Sequence, residues 1–275
     1  MKKHSPLQIL CCLLLVSITY MSCKKDAVAE PDPAAGLIKQ SEGYAIGAAT
    51  KVEIYTESGS ITTGYNKFYI ALYDSVSGIR IDRAALQLTP MMDMGTMQHS
   101  APFENPTSEN ASNHLFACSV VFIMPSGSGQ NWTLSIQVSN LSTNKNGTLT
   151  VPVTVTEPAH KTMNSFTSAA NGGKYFISLV QPAKPKVGIN DFEVVVYKKI
   201  SMMNFPPDSS MSITLYPEMP TMGHSSPNNV DPVHISQGHY KGNVNFTMTG
   251  LWRLHLRFMA GESVADTTQY FDVEF

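Results

Sequence analysis

Two strand-like segments built on one plan, 120 residues apart, constrain this chain more than any other feature. They are Trp132-Thr-Leu-Ser-Ile-Gln-Val138 and Trp252-Arg-Leu-His-Leu-Arg-Phe258, and they use both Trp residues of the chain. In each, large apolar residues alternate with polar ones. A strand sends successive side chains to opposite faces, so each segment has one apolar face and one wet face. Other pairs recur at offsets of 123 to 124 residues: Lys51 with Lys174, Asn66-Lys-Phe-Tyr-Ile70 with Asn190-Asp-Phe-Glu-Val194, and Val120-Val-Phe-Ile-Met124 with Val244-Asn-Phe-Thr-Met248. An internal repeat of this kind predicts one supersecondary plan used twice.

The remaining periodic segments are strands as well. Lys51-Val-Glu-Ile-Tyr-Thr56 and Thr148-Leu-Thr-Val-Pro-Val-Thr-Val155 alternate, and Lys67-Phe-Tyr-Ile-Ala-Leu-Tyr73 is rich in aromatic and β-branched residues. Gly, Asn, Ser and Pro clusters separate them. No long stretch shows the 3.6-residue period of an amphipathic helix. The predicted fold is all-β: two tandem immunoglobulin-like β-sandwiches over residues 46–157 and 158–275, each about the size such a sandwich needs.

Ahead of them the chain reads as a targeting segment. Lys2 and Lys3 precede a short apolar run, Ile9 to Ile18, and then Tyr20-Met-Ser-Cys23. This resembles a bacterial lipoprotein signal, residues 1–23, with Cys23 as the lipidated residue. Residues 24–45, rich in Ala, Pro, Asp and Glu, read as a flexible tether. The expected location is the cell envelope of a Gram-negative bacterium, anchored by lipid to a membrane, with the outer membrane as the site. With Cys11 and Cys12 in the signal and Cys23 lipidated, Cys118 alone remains, so no internal disulfide is expected. Cys118 lies in an apolar strand-like run and reads as a small buried residue. Nineteen Lys and Arg against 21 Asp and Glu, with no basic patch interleaved with aromatics, exclude nucleic acid as a partner.

One motif occurs in both halves: Met94-Gly-Thr-Met97-Gln-His99-Ser-Ala-Pro102 and Met219-Pro-Thr-Met222-Gly-His224-Ser-Ser-Pro227. Each copy offers two thioethers and an imidazole within six residues. Thioether sulfur is a soft ligand suited to Cu(I), and imidazole also suits copper. The Pro, Gly, Thr and Ser context argues for a loop rather than a strand face. Met94, Met97, His99, Met219, Met222 and His224 are therefore the candidate ligands, favouring Cu(I) over Cu(II). The opposing possibility is that Met serves as a gap-filler of the core. Met91, Met92, His114 and His239 are candidate additional ligands. Met124 and Met248, by alternation with Phe122 and Phe246, read as core residues. His255 alternates with Leu254 and Leu256 and reads as exposed.

The second half carries Pro217-Glu-Met-Pro-Thr-Met-Gly-His224, then Gly238-His-Tyr-Lys-Gly242, then Gly250-Leu-Trp-Arg-Leu254. That order resembles the YtkA-like domain, an extracytoplasmic β-sandwich related to FixH-type proteins. The first half departs from it, with Gly95 and Gln98 in place of Pro220 and Gly223. The resemblance implies copper handling, and a metal-efflux or oxidase-assembly protein as partner. No Gly-x-Ser-x-Gly, His-Glu-x-x-His or phosphate-cradling loop is present, and no enzyme activity is expected. Two functional classes follow: a copper chaperone, buffer or efflux accessory, and a non-catalytic structural or adhesive module whose sandwiches bind a protein or glycan.

Overall fold

The computed structural model describes residues 32–275. The signal segment, Cys23 and residues 24–31 of the expected tether lie outside the described residues. Residues 32–35 belong to one compact unit, where Asp32 closes a turn by accepting the Ala34 and Ala35 N–H groups. Residues 36–275 form the other.

That second unit is all-β. Its strands are β1 (Ile38–Ala45), β2 (Thr50–Thr56), β3 (Ile61–Thr62), β4 (Gly64–Asp74), β5 (Ala84–Asp93), β6 (Gln98–His99), β7 (Phe103–Glu104), β8 (Phe116–Phe122), β9 (Asn131–Asn140), β10 (Lys145–Val153) and β11 (Val155–Thr156). They continue with β12 (Met163–Thr167), β13 (Lys174–Gln181), β14 (Gly188–Lys199), β15 (Met211–Met219), β16 (His224–Ser225), β17 (Val230–Ser236), β18 (His239–Phe246), β19 (Leu251–Ala260) and β20 (Ser263–Glu274).

In the first half, sheet β1-β2-β4-β8-β7 faces sheet β10-β9-β5-β6; in the second, β12-β13-β14-β18-β17 faces β16-β15-β19-β20. Setting aside the extra edge strands β1 and β12, both orders are the A-B-E-D and G-F-C-C′ sheets of an immunoglobulin-like sandwich. The alternating segments found in the sequence are the central F strands, β9 and β19. Trp132, Leu134, Ile136 and Val138 are buried in one core, and Trp252, Leu254, Leu256 and Phe258 in the other. Each indole N–H donates to a Met carbonyl, of Met124 at 2.9 Å and of Met248 at 3.0 Å, so the rings are buried without an orphaned donor.

The strand β1 takes the last eight residues of the stretch expected as tether. Its polar sequence buries little, and so carried no alternating pattern. It is held as an edge strand by its ladder to β2 and by two ion pairs across that ladder, Lys39 with Glu53 at 2.8 Å and Lys51 with Glu42 at 3.2 Å.

The sandwiches pack directly on one another. Val121, Phe176, Val195, Tyr197 and Phe205 form a third apolar cluster at the seam. Polar bonds surround it: Tyr65 N–H donates to Ser178 Oγ at 2.9 Å, and Thr162 Oγ1 donates to the Thr63 carbonyl at 2.9 Å. Gly64, with φ +102°, sits where a Cβ would lie 2.3 Å from Thr162 Oγ1. The close approach of the two backbones therefore depends on this glycine.

Candidate functional site

Each Met-x-Thr-Met-x-His motif folds as the hairpin from strand C to C′. In the first sandwich Met92 pairs His99 and Asp93 pairs Gln98, and the Met94 N–H donates to the Met97 carbonyl at 3.0 Å across the turn. In the second, Met219 pairs His224, and the Met222 and Gly223 N–H groups both donate to the Met219 carbonyl. Pro90 and Pro217 hold equivalent positions opposite Leu134 and Leu254. The structural counterpart of Met219 is thus Met92, not Met94 as the motif alignment suggests. The first hairpin runs one ladder pair further because Pro220, which lacks an N–H, ends the second strand at once. Asp93 Oδ1, accepting the Gly95 N–H at 2.8 Å, closes the longer turn.

This register sorts the candidates. Met92 and Met219 point inward and are buried, Met94 packs partly against the first core, and Met97 and Met222 stand at the tips, 51% and 60% exposed. Met91 alternates to the outer face opposite Thr133, so it cannot join His99.

The two imidazoles are held alike. His99 Nδ1 lies 2.8 Å from the Ser100 carbonyl, and His224 Nδ1 lies 3.1 Å from the Ser225 carbonyl. Ser100 Oγ and Ser225 Oγ brace the hairpins by donating to the Pro90 and Pro217 carbonyls. A carbonyl cannot donate, so Nδ1 carries the proton and in the neutral ring Nε2 presents its lone pair. Each ring meets the buried Trp edge to face, at 5.3 Å for His99 and 5.8 Å for His224. His99 is 3% exposed, and its Nε2 lies 3.3 Å from Met124 Sδ. Sequence alternation assigned Met124 and Met248 to the core and missed this. The available signal was their recurrence in both halves, just ahead of the Trp they accept a bond from. Met248 is exposed, so the second tip is the more open.

Two further candidates lie elsewhere. His114 sits in an exposed loop with Nδ1 2.8 Å from Asp82 Oδ2. His239 is in β18 at the seam, with Nε2 2.6 Å from Glu104 Oε1 and Nδ1 2.7 Å from Glu193 Oε1. The two do not correspond: setting Phe122 on Phe246, each opposite the glycine that opens strand B, brings Leu115 onto His239. With both ring nitrogens taken by carboxylates, His239 has no lone pair for a metal. Burial alone would lower its pKa, but the bonds to Glu104 and Glu193 prevail and push it up to about 9. Burial would likewise raise Glu104; bonds from His239, Ser119 and Tyr197 bring it down to about 2. The His239 bond holds Glu193 below the ordinary carboxylate range against burial, with Lys241 Nζ at 3.3 Å. Burial and the neighbouring Glu104 push the Tyr65 and Tyr197 hydroxyls up. Cys118 is buried, and desolvation raises its thiol far above the usual range.

Among the described residues no group of three or more His, Cys, Asp and Glu is placed to hold a metal ion. Any ion at the tips would therefore rest on thioethers and one imidazole, a set that fits a soft ion and not a hard one.

Residues 169–257 match a family model described as YtkA-like. No curated protein matches the chain. Among solved structures, the chain is similar to domains 5-6 of the S-layer protein SbsC, at 12% identity over 86% of this chain and 97% of that one, with a TM-score of 0.29. It is also similar to the Escherichia coli adhesin FdeC, at 12% identity over 84% and 65%, TM-score 0.27. A third is the Yersinia pseudotuberculosis adhesin InvE, at 14% identity over 78% and 55%, TM-score 0.22.

Proposed function

We propose that this chain is a lipid-anchored envelope protein, held through Cys23, that binds copper as Cu(I) at the hairpin tip of each sandwich and acts as a copper chaperone, buffer or efflux accessory. One observation carries the reading: an imidazole tied by Nδ1 to a backbone carbonyl, its Nε2 3.3 Å from a thioether sulfur. Metal-ligating histidines are commonly fixed in this way through the other ring nitrogen. Donors roughly 2.0 Å (nitrogen) and 2.3 Å (sulfur) from one ion can lie this close together. Met92, Met94 and Met97 would add sulfur at the first tip; Met219, Met222 and Met248 would do so around His224. The YtkA-like match over the second sandwich supports an envelope role. The test is a competitive Cu(I) titration of the detergent-solubilised full chain against a chromogenic chelator. Two ions per chain are expected, falling to one in His99→Ala and to one in His224→Ala; no uptake above a Met-poor control would reject the reading.

One observation favours the adhesive alternative. On the outer face of the second sandwich Tyr216, His255 and Tyr270 lie in register across three strands, with ring spacings of 6.2 and 6.1 Å. Arg253 lies over Tyr270 at 4.0 Å. The equivalent row in the first sandwich is Thr89, Ser135 and Thr150. Glycan-array binding lost in Tyr216→Ala with Tyr270→Ala, with copper uptake intact, would move the assignment to this class.

A further inference from the structure

The loop between β14 and β15 carries Met202 and Met203, which have no counterpart in the first half of the sequence. The structure sets them against the first tip. The Ser100 N–H, one residue beyond His99, donates to the Met202 carbonyl at 2.9 Å across the seam. Consecutive Cα atoms are about 3.8 Å apart, so this bond places the Met202 backbone within a residue of the imidazole's own backbone. The loop is not free to drift. Ile200 N–H and Ser201 N–H both donate to the Asn204 carbonyl, and Ser201 Oγ accepts the Met203 N–H at 3.1 Å. Phe205 anchors it in the seam cluster, against which Ile123, the neighbour of Met124, also packs. Between these two fixings Met202 and Met203 are 38% and 51% exposed. This braced turn thus carries two exposed thioethers that belong to none of the apolar clusters, with its backbone bonded next to His99.

We propose that a thioether of Met202 or Met203 completes the first tip, making a soft-metal site shared between the two sandwiches. This rests on the copper-binding reading of the tips and goes beyond it. The corresponding loop of the first sandwich, residues 75–83, holds no Met. The β14–β15 loop belongs to the second sandwich and is bonded to the first tip, so the two sites are unequal: a tighter one that clamps the seam, and a more open one confined to one sandwich.

The experiment uses the full chain carrying His224→Ala and Met222→Ala, which leaves the first tip as the one under study. Cu(I) competition is measured for this parent, for Met202→Leu, for Met203→Leu and for the pair; Leu keeps the bulk and removes the sulfur. The paired variant is expected to bind at least about tenfold more weakly, since even the outer partners of a metal ligand are worth roughly ten- to a hundredfold in affinity. One of the single variants should carry most of that loss. In parallel, Ag(I) added to [methyl-13C]Met-labelled chain should move the Met202 or Met203 methyl resonance together with that of Met124. A paired variant within twofold of the parent, or Ag(I) binding that moves the Met124 methyl and neither of the other two, overturns the shared site while leaving the tip reading intact. A parent that takes up neither ion overturns both.

Discussion

Replacing His239 by Leu removes the imidazolium that bridges two carboxylates at the seam. His239 donates to Glu104 at 2.6 Å and to Glu193 at 2.7 Å, with its side chain 12% exposed. Its pKa rises from 6.5 to about 9 in the folded chain. A group raised in this way stabilises the fold fully below 6.5, and the contribution drains away as pH climbs from 6.5 through 9. At 1.36 kcal/mol per pH unit the full contribution is about 3 kcal/mol. The wild-type chain should therefore lose up to about 3 kcal/mol of stability between pH 6.5 and 9.5. His239→Leu at pH 7 should cost about 3 kcal/mol, because the part-buried Glu104 keeps its hydroxyl donors but loses the cation against it. Adding Glu104→Gln should recover part of that loss, since the orphaned charge goes with it. The assay is urea unfolding followed by Trp fluorescence at pH 6, 7.5, 9 and 9.5 for the three chains. Trp132 reports on one sandwich and Trp252 on the other, and without the latch the two should unfold in separate steps. A wild-type midpoint unchanged from pH 6 to 9.5, or a His239→Leu loss under about 1 kcal/mol, would refute the assignment of a charged His239 at the seam.

Trp252→Ala empties the centre of the second core and should cost about 3 to 5 kcal/mol, read as a lowered urea midpoint. Met124→Leu keeps the volume of the side chain that touches His99 but removes its sulfur. It should weaken Cu(I) binding at the first tip and leave stability within about 1.5 kcal/mol, as volume-conserving swaps do. Gly64→Ala places a Cβ 2.3 Å from Thr162 Oγ1 on a backbone of φ +102°. It should loosen the seam, seen as faster hydrogen exchange at Tyr65, whose N–H is held by Ser178.

Much of the fold was legible because burial in a sandwich is a period-two property. The F strands announce themselves through Trp132 and Trp252, and the doubled Met-His motif marks the two hairpins. What was not legible has two physical sources. Register within a hairpin depends on where ladder bonding stops: Pro220 ends the second ladder at Met219, the first runs on to Asp93, and so Met92 rather than Met94 stands opposite His99, which motif spacing could not reveal. The polar bonds of the seam join residues 93 to 135 positions apart, Tyr197 with Glu104 at one end of that range and His239 with Glu104 at the other. A loop His and a seam His look alike in sequence, which is why His114 and His239 were grouped. β1 escaped notice because an edge strand with a polar sequence leaves no apolar face to detect. The Met124 sulfur was hidden by a correct alternation: the residue does lie against the core, and it also faces an imidazole.

The apolar cluster of Val121, Phe176, Val195, Tyr197 and Phe205 draws on both sandwiches, whereas the connection between them is the short run 157–161. Cohesion of the two halves is thus a matter of surface matching, not of tethering. A protease nick at Lys161 should yield two polypeptides that still elute as one particle in native chromatography and part in denaturant.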